Sequence, residues 1–257
     1  MTAQSDSQDI AGFRCISLGE VTSTNDEVLK LVQAGEAGEF VVSGRSQSQG
    51  RGRFDRVWTS PRGNLYCSVL LRPNLPLMQC SSLSLVLAIS LRDALAEFLP
   101  DTDLTVKWPN DVLAGGKKIA GILLESEAMP DGLARHIIAG TGVNLISHPG
   151  VPKKPATDAS ALGAKIAPHD LLTRYLERFA AYRAQWLAGG FPAIKPAWMR
   201  YAHGAARNVT VNQGARSIRG LFAGLDDEGN LRLMTGRGEE RIILAGELAF
   251  DVEPTSN

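Results

Sequence analysis

The sequence predicts an α+β protein in which a mixed α/β domain precedes a small β-barrel. Before about residue 204, segments with helical spacing of apolar residues are interspersed with short strand-like runs. After Ala205 the apolar residues alternate in five short runs within about fifty residues, separated by glycine-containing turns, which is typical of a small barrel. We therefore expect three segments: a flexible N-terminus at 1–12, a main domain at 13–204 and a barrel at 205–257.

The main domain should begin with a strand, a helix and a second strand. Arg14–Leu18 has strand character. Thr24 stands three residues before Glu27, which is the spacing of a capping box, so a helix should start there and end at Gly35. Phe40–Ser43 is the second strand, and it leads into a loop rich in glycine and arginine.

The later elements of the main domain are predicted from two patterns, the helical spacing of apolar residues and the alternation typical of strands. Gly and Pro serve as turn signals between them. We expect a half-buried strand at Leu65–Leu71, a helix at Ser81–Leu99, strands at Leu104–Trp108, Ile119–Leu124 and His136–Leu145, a mobile segment at His148–Lys165, and helices from Pro168 to about Leu187 and from near Pro196. The pair Gly115-Gly116 should form a hairpin-type turn in the connection between the strands at 104–108 and 119–124.

Composition and charge narrow the functional classes. The 257-residue chain has 27 Lys and Arg residues against 27 Asp and Glu residues, so no overall positive field would attract nucleic acid. Its three cysteines, Cys15, Cys67 and Cys80, lack the spacing of a disulfide framework or a zinc site, which indicates a reducing compartment. Met1–Ile10 has no signal-peptide pattern, and the most apolar helix is too short for a bilayer. We therefore expect a cytoplasmic protein.

Two polar stretches predict a binding site for anions. The stretch at 47–61 contains glycines at 50 and 52 and arginines at 51, 53 and 56. Glycine lets the backbone approach a ligand closely, and arginine matches phosphate or carboxylate oxygens two at a time. The stretch at 106–125 places polar groups between two apolar runs, namely Lys107, Asn110, Asp111, Lys117 and Lys118. Together they suit one anion, or two anions that must react.

Each of these motifs alone also has a purely structural explanation. Gly50–Arg56 is typical of a solvated basic loop, and Pro, Asn and Asp favour a strand-ending turn at 108–111. Ser23-Thr24 is adequately explained as a helix cap. The four histidines have neither metal-site nor catalytic-triad spacing, so we interpret them as structural or surface residues.

Four motifs in one order together resemble those of bacterial biotin–protein ligases. They are Ser23-Thr24-Asn25; Gln47 with Gly50-Arg-Gly-Arg53 and Trp58-Thr-Ser-Pro61; Lys107-Trp-Pro-Asn-Asp111 with Lys118-Ile-Ala-Gly121; and Gly140-Thr-Gly-Val-Asn144. One departure is Asp55, which stands where much of the family has a further glycine. Because the motifs begin at Ser23, the resemblance is to the monofunctional type that lacks an N-terminal DNA-binding domain.

The resemblance implies a fold and an activity. The fold would be a mixed α/β catalytic domain similar to that of class II aminoacyl-tRNA synthetases, followed by an SH3-like barrel. With ATP and Mg²⁺, biotin would be activated as biotinyl-5′-AMP with release of pyrophosphate, then transferred to a lysine of a biotin carboxyl carrier protein. The expected partners are the carrier domain of acetyl-CoA carboxylase and related biotin-dependent carboxylases, with no nucleic acid and no membrane. The protein would be a monomer or a homodimer.

The resemblance also implies roles for individual residues. The biotin-binding residues would be Ser23, Thr24, Gln47, Gly50, Arg51, Trp58, Lys118 and Gly121. Of these, Ser23, Thr24 and Gln47 would bind the ureido ring, and Arg51 would flank the carboxylate. The nucleotide-binding residues would be Arg53, Asn110, Asp111 and Asn144, with Asp111 also contacting Mg²⁺. Arg51, Arg53 and Lys118 would be the catalytic cations, because two anionic reactants must be brought together.

Lys118, rather than Lys117, is expected to face the site. Successive side chains of a strand point to opposite faces, so Lys118, Ala120 and Ile122 should share one face. The small Ala120 and its neighbour Gly121 would leave room for a ligand against that face.

Two other functions remain open from the sequence. A lipoate or octanoate ligase would use the same adenylation chemistry but a narrow apolar tunnel, whereas Ser23–Asn25 and Gln47 offer polar groups for a ureido ring. A nucleic-acid-binding module would use the barrel and the arginine-rich loop. Neutral net charge and the lack of interleaved surface aromatics in Arg207–Val252 count against that module.

Overall fold

The computed structural model describes residues 7–150 and 155–250, which form two β-sheets and four α-helices. The helices are α1 (Thr24–Gln33), α2 (Leu83–Phe98), α3 (Pro168–Gly189) and α4 (Lys195–Arg200). The larger sheet contains β1 (Ser7–Ile10), β2 (Phe13–Val21), β3 (Phe40–Gln47), β4 (Leu65–Leu71), β5 (Leu104–Lys107), β6 (Asp111–Ala114), β7 (Lys117–Ala128) and β8 (Ala134–Val143). The terminal sheet contains β9 (Asn208–Gln213), β10 (Arg216–Leu225), β11 (Leu231–Thr235), β12 (Glu240–Ile243) and β13 (Glu247–Phe250).

The larger sheet has the strand order β1-β2-β3-β4-β8-β7-β6-β5. β2 and β3 are parallel, and the other neighbouring pairs are antiparallel. The connection between the two parallel strands contains α1, since parallel strands cannot be joined by a tight turn. The mixed α/β architecture expected for the main domain is therefore confirmed.

Helices cover both faces of this sheet, and strand alternation sorts the residues between them. On β8, Ile137 and Ala139 belong to the larger core, which contains the buried residues of α2 and α3. Ile138 belongs to a smaller core with Val28 of α1, and its face of the sheet is called the α1 face below. Because both faces are covered, β4 is buried along its whole length, and the expectation of a half-buried strand at Leu65–Leu71 is wrong.

The terminal sheet is antiparallel, with the order β12-β11-β10-β9-β13, and shares the larger core. Val209 and Phe222 pack in the same cluster as Leu85 of α2. The indole nitrogen of Trp108 donates to the carbonyl of Gly229 at 3.1 Å. Gly229 has a φ of 86°, and a Cβ there would lie 2.6 Å from Leu85 Cδ1. The five expected strands are confirmed, whereas barrel closure and a boundary after residue 204 stay predictions.

The first described residues are ordered in a strand. Ser7–Ile10 is β1, which pairs antiparallel with β2 and buries Ile10. The expected flexible terminus at 1–12 is therefore wrong for this segment, while residues 1–6 lie outside the described part of the chain. No strand was predicted here because the other three residues of β1 are polar, and all three are exposed.

The Trp-Pro-Asn-Asp motif forms the turn between two strands. β5 ends at Lys107 and β6 begins at Asp111, and the backbone N–H of Asn110 donates to the Lys107 carbonyl at 3.1 Å. The Trp108–Pro109 peptide bond is cis. β6 was not predicted, and the Gly115-Gly116 turn joins β6 to β7 instead of β5 to β7.

Part of the segment expected to be mobile at His148–Lys165 is packed against the rest of the chain. Thr157 and Asp158 are buried, and the backbone N–H of Thr157 donates to the Lys118 carbonyl at 2.9 Å. Residues 151–154 lie outside the described ranges. Among the helices of those ranges, none combines the length and apolar character that a membrane span requires.

Candidate active site

Side-chain hydrogen bonds link the start of α1 to the end of β3. Gln47 Oε1 accepts hydrogen bonds from the Thr24 backbone N–H at 2.9 Å and from Thr24 Oγ1 at 3.2 Å. Gln47 Nε2 donates to Ser60 Oγ at 2.9 Å. Ser23 and Thr24 are both buried, and α1 begins at Thr24 without a side-chain cap bond. The capping-box prediction is therefore wrong, because the Thr24 hydroxyl serves this network instead.

Two further buried residues, Asn25 and Ser68, extend the network; Asn25 belongs to the motif Ser23-Thr24-Asn25, whereas Ser68 was not identified from the sequence. Ser68 Oγ lies 2.7 Å from Thr24 Oγ1 and 2.6 Å from Asn25 Oδ1. Ser68 has one proton, so it can donate to only one of these atoms. Asn25 Nδ2 is buried and has no hydrogen-bond partner within the described residues. The one available signal was Ser68 itself, a polar residue inside an apolar strand.

Three glycines of β7 and β8 form a floor beside this network. Gly121 is the register partner of Gly142. A Cβ at Gly140 would lie 2.4 Å from Asn25 Oδ1, and a Cβ at Gly142 would lie 2.5 Å from Trp58 Nε1. Any side chain at these positions would displace Asn25 or Trp58. Trp58 thus lies directly on the sheet, in the position of a wall, and its contact with biotin stays a prediction.

The glycine–arginine loop folds back on itself after β3. The Gly50 carbonyl accepts a hydrogen bond from the Trp58 backbone N–H at 2.9 Å. At the tip, Phe54 and Asp55 have φ values of 59° and 55°. Asp55 therefore adopts the left-handed conformation that glycine takes readily, and Asp tolerates it better than most residues do. The backbone conformation at Asp55 is therefore one that the glycine of the family pattern would also adopt.

The effect of a substitution at Asp55 should depend on the free energy that the new residue requires to adopt the left-handed backbone conformation. Asp55→Gly should keep the loop conformation. Asp55→Ala should disfavour it by about 1 kcal/mol, which lowers the equilibrium constant for forming this loop conformation by a factor of about five. The resemblance implies a loop that covers biotinyl-adenylate, so the labelled adenylate should dissociate no faster from the glycine variant than from the unsubstituted chain, and faster from the alanine variant. Equal retention by the alanine and glycine variants would contradict the proposed conformational cost.

Arg51 is held in ion pairs on the α1 face. Its Nε lies 2.9 Å from Glu125 Oε1, and its Nη2 lies 2.7 Å from Asp26 Oδ1. The hydrogen bonds that Arg51 donates, first to Glu125 and then to Asp26, raise the pKa of Arg51. Neither carboxylate was identified from the sequence as a site residue. The expected contact between Arg51 and the biotin carboxylate stays a prediction, and these two ion pairs compete with it.

The other two arginines of the loop reach the terminal sheet. Arg56 Nη1 and Nη2 donate to the two carboxylate oxygens of Glu247 at 2.9 and 2.5 Å. Arg53 Nη1 lies 3.3 Å from both Asn110 Oδ1 and the carbonyl of Gly246. Burial lowers the pKa of Arg53, and the carboxylate of Asp111 acts in the opposite direction. Arg53 is thus a partly desolvated cation between the two sheets.

Lys118 lies on the α1 face, although not for the expected reason. The register of β6 and β7 pairs Val112 with Ala120 but Leu113 with Lys118, so a bulge interrupts the alternation. Ala120 and Ile122 are core residues, and the expectation that they share a face with Lys118 is wrong. A Cβ on Gly121 would lie 2.9 Å from Lys118 Nζ, so the ammonium group lies above Gly121. Lys117 is exposed at the turn.

The ammonium group of Lys118 has an acidic and an aromatic neighbour. Its Nζ lies 2.6 Å from Asp111 Oδ1 and 5.2 Å from the centroid of the Trp58 ring. The lysine therefore lies between the Trp-Pro-Asn-Asp turn and the glycine–arginine loop. The structure thus brings together the two polar stretches that predicted an anion site.

The residues expected for the nucleotide fall into two groups. In the first group, Asp111 forms an ion pair with Lys118, and Arg53 donates a hydrogen bond to Asn110. Asn110 Nδ2 donates to the Ile122 carbonyl at 2.6 Å, which fixes its amide beside β7. Asn144 is buried and donates to the Thr157 carbonyl at 3.1 Å, so its amide holds the segment after 155. Nucleotide contacts of all four residues stay predictions.

A cavity of about 320 Å³ borders Arg53 and Asn110. Ser81 and Ser84, at the start of α2, also line it, together with core-facing residues of β7. Of the residues expected for biotin, none is in its lining, which consists of described residues only. The cavity therefore borders two of the residues expected for the nucleotide and extends from them towards α2.

Comparisons with known proteins identify families and relatives that the chain resembles. Residues 18–144 match the model of the biotin/lipoate A/B protein ligase family, and residues 207–251 match the biotin protein ligase C-terminal domain. The chain is 36% identical to a biotin–[acetyl-CoA-carboxylase] ligase of Paracoccus denitrificans, over 91% of this chain and 99% of that protein. It is 34% identical to the bifunctional ligase/repressor BirA of Bacillus subtilis, over 92% of this chain and 74% of that protein.

Among solved structures, the chain is similar to a biotin protein ligase from Aquifex aeolicus in complex with biotin and ATP. The TM-score is 0.77 at 29% identity, and the alignment covers 91% of this chain and 97% of the other. The similarity therefore extends over both sheets.

Proposed function

The chain belongs to the biotin/lipoate A/B protein ligase family, and on that premise we propose how its residues perform biotin–protein ligation. A ligase of this type activates biotin with ATP as biotinyl-5′-AMP and releases pyrophosphate. It then transfers biotin to a lysine of a carrier protein and releases AMP. The chain is an enzyme of this kind. We base the roles of its individual residues on one observation, which is that Thr24, Gln47 and Lys118 lie around the same glycine floor.

The network at the start of α1 is proposed to bind the ureido ring. Biotin's ring presents one carbonyl acceptor and two N–H donors, and Ser23, Thr24 and Gln47 provide hydroxyl and amide groups of both kinds. These side chains are buried or half-buried, so a lost hydrogen bond there is costly. A lipoyl or octanoyl chain has no ureido donors or acceptors to exchange for the hydrogen bonds that these groups already make. This argues for biotin over the lipoate or octanoate alternative.

The first half-reaction is proposed to take place between Lys118 and Arg53. The biotin carboxylate attacks the α-phosphorus of ATP, a new carbon–oxygen–phosphorus linkage forms, and pyrophosphate leaves with the electron pair of the broken bond. Both reactants are anionic, so fixed cations stabilise the charge that concentrates in the transition state. Lys118 above Gly121 would face the carboxylate, and Arg53 would face the α-phosphate.

Magnesium fits this site as a partner of the ATP phosphates. The described residues contain no group of three or more His, Cys, Asp or Glu side chains that could hold a metal alone. Mg²⁺ is commonly bound through one or two carboxylates together with substrate phosphates. Asp111 is the carboxylate in reach, and when bound the ion would offset negative charge on the phosphates.

In the second half-reaction, a neutral lysine amine of the carrier attacks the acyl carbon of the adenylate, and AMP leaves. We propose the biotin carboxyl carrier domain of acetyl-CoA carboxylase and related carboxylases as the acceptor. We also propose a class II aminoacyl-tRNA synthetase-like catalytic domain, an SH3-like terminal barrel, a cytoplasmic location and a monomer or homodimer. The relative named as a carboxylase ligase supports the acceptor, and the two-sheet architecture supports a catalytic domain followed by a separate terminal sheet.

Pyrophosphate exchange tests the function directly. Labelled pyrophosphate should enter ATP only when the full chain is incubated with biotin and a divalent cation. Lipoate and octanoate serve as matched acids that lack the ureido ring. Exchange with either of these acids and none with biotin would move the assignment to the lipoate or octanoate alternative.

The ion pair between Arg56 and Glu247 should contribute modestly to holding the glycine–arginine loop against the terminal sheet. Both side chains are partly exposed, so removing the carboxylate should cost up to about 1 kcal/mol. We expect Glu247→Ala to raise the KM for ATP by about two- to fivefold with little change in the KM for biotin. Steady-state kinetics at two salt concentrations would measure this.

Glu240→Ala is the control, because Glu240 pairs with Arg232 on the same terminal sheet. Equal effects of the two alanine variants would count against a specific role of Glu247. Point substitution is preferable to removing the sheet, since removal would uncover Trp108 and Leu85.

A further inference from the structure

Arg51 connects three elements that each carry part of the biotin site. Its guanidinium donates through Nε and Nη2 to both oxygens of Glu125, at 2.9 and 3.1 Å. Nη2 also donates to Asp26 at 2.7 Å. Asp26 follows Thr24 and Asn25 on α1, and Glu125 follows Gly121 on β7. One side chain of the loop therefore fixes the head-group end of the site relative to its reacting end.

The charge of this cluster is wrong for receiving another carboxylate. One guanidinium with two carboxylates carries a net charge of −1 when all three groups are ionised. The biotin carboxylate would therefore meet two nearby negative charges, and like charges at this range oppose ionised binding. Lys118 and Arg53 offer the more suitable cations. Lys118 forms its ion pair with the single carboxylate of Asp111, and the hydrogen bonds of Arg53 go to the neutral oxygens of Asn110 and Gly246.

The backbone next to Arg51 lies against the head-group network. A Cβ on Gly50 would lie 2.4 Å from the Trp58 carbonyl oxygen and 3.0 Å from Gln47 Nε2. A small shift of the loop at this point would therefore move it relative to Gln47. Holding Arg51 in place holds this part of the loop in place.

We propose that Glu125 and Asp26 are positioning residues for biotin binding, which hold the Gly50–Arg51 backbone over the ureido site through the Arg51 guanidinium. This inference rests on the proposed function, and it deepens the assignment of the ureido site. Arg51 then acts through the geometry of the loop and not as the receptor of the substrate carboxylate. Its contribution should be the same whether or not the ligand carries a charge.

A pair of ligands separates the two roles of Arg51. Biotin and its neutral primary amide share the ureido ring and differ in charge at the other end. Calorimetric titration of the full chain should show that Arg51→Gln and Glu125→Gln weaken both ligands by the same factor, about five- to tenfold given the partial exposure of the pair. Asp26→Asn should act in the same direction with a smaller factor.

Glu127→Gln is the matched control for Glu125. Glu127 lies two residues further along β7 and forms an ion pair with Arg135 at 2.9 Å, away from the loop. Its replacement should leave the affinity for both ligands unchanged. Arg51→Lys keeps the charge but loses the two-pronged contact, so it should weaken both ligands as Arg51→Gln does.

Selective weakening of biotin over its amide in the Arg51→Gln variant would overturn the proposal, because it would show that Arg51 binds the carboxylate. Unchanged affinities in Glu125→Gln, with or without a lower melting temperature, would overturn it as well. Pyrophosphate exchange by the unsubstituted chain tests the ligase function separately. If the unsubstituted chain shows biotin-dependent pyrophosphate exchange and either of these two binding results is obtained, the ligase function stands and only the positioning role is excluded.

Discussion

Replacing Lys118 with alanine should slow the formation of biotinyl-adenylate by about 10²–10³-fold, equivalent to roughly 3–4 kcal/mol of transition-state stabilisation. The ammonium group lies above Gly121 and 2.6 Å from Asp111, where the biotin carboxylate and the α-phosphate are proposed to meet. Its removal would leave developing negative charge in a partly desolvated site with one fixed cation fewer. Single-turnover measurement of adenylate from labelled ATP would give this rate separately from product release.

Lys117→Ala provides the comparison for this prediction. Lys117 is adjacent in sequence but exposed at the turn, so its removal should change the rate by less than about twofold. Biotin affinity measured without ATP should fall in the Lys118 variant much less than the rate does, if the cation acts mainly in the transition state. A larger loss in the Lys117 variant, or a near-normal rate in the Lys118 variant, would contradict the assignment.

Replacing Arg53 with glycine should release biotinyl-adenylate into solution. Arg53 is half-buried between Asn110 and the Gly246 carbonyl, so its loss removes both a cation for the phosphate and a contact between the sheets. We expect the dissociation rate of the adenylate to rise by about 10²-fold, as for the loss of one charge-assisted phosphate contact with its water-excluding side chain. Adenylate release would be followed by rapid filtration after a single turnover.

Released adenylate should also label bystander proteins. Incubation with biotin, ATP and an unrelated lysine-rich protein should give biotinylated lysines with Arg53→Gly and few with the unsubstituted chain. Arg62→Gly removes an exposed arginine just after the loop and serves as the control. Arg53→Lys should restore part of the retention, because it keeps a positive charge. Equal retention by the Arg53→Gly and Arg62→Gly variants would remove the proposed role.

Much of the fold follows from the sequence alone. The strand at Leu65–Leu71 has the expected bounds, and helices at 83–98 and 168–189 lie within a few residues of the predicted ends. These elements have strong local signals, namely apolar periodicity with Gly or Pro at the ends. β1 and β6 were missed because they have four residues each and no alternation of their own. Such short strands exist only because a neighbouring strand supplies their hydrogen bonds.

The sequence by itself determined the family, the ligase activity and the position of the four motifs along the chain. The motifs identify the family because all four occur together in the family's order, although each alone has a purely structural explanation. The left-handed backbone at Asp55 also agrees with the glycine of the family pattern. The roles assigned to single residues stay predictions, and the experiments above are designed to test them.

Only the tertiary structure decided which residues surround each motif. The bulge between β6 and β7 places Lys118 above Gly121, whereas simple alternation put it on the face of Ala120. Asp26 and Glu125 meet Arg51 although they lie 25 and 74 residues away along the chain. A bulge depends on the register of the partner strand, and an ion pair depends on how distant elements pack. Neither the bulge nor the ion pairs are encoded in the local periodicity of the residues concerned. Neither could therefore be predicted without the tertiary structure.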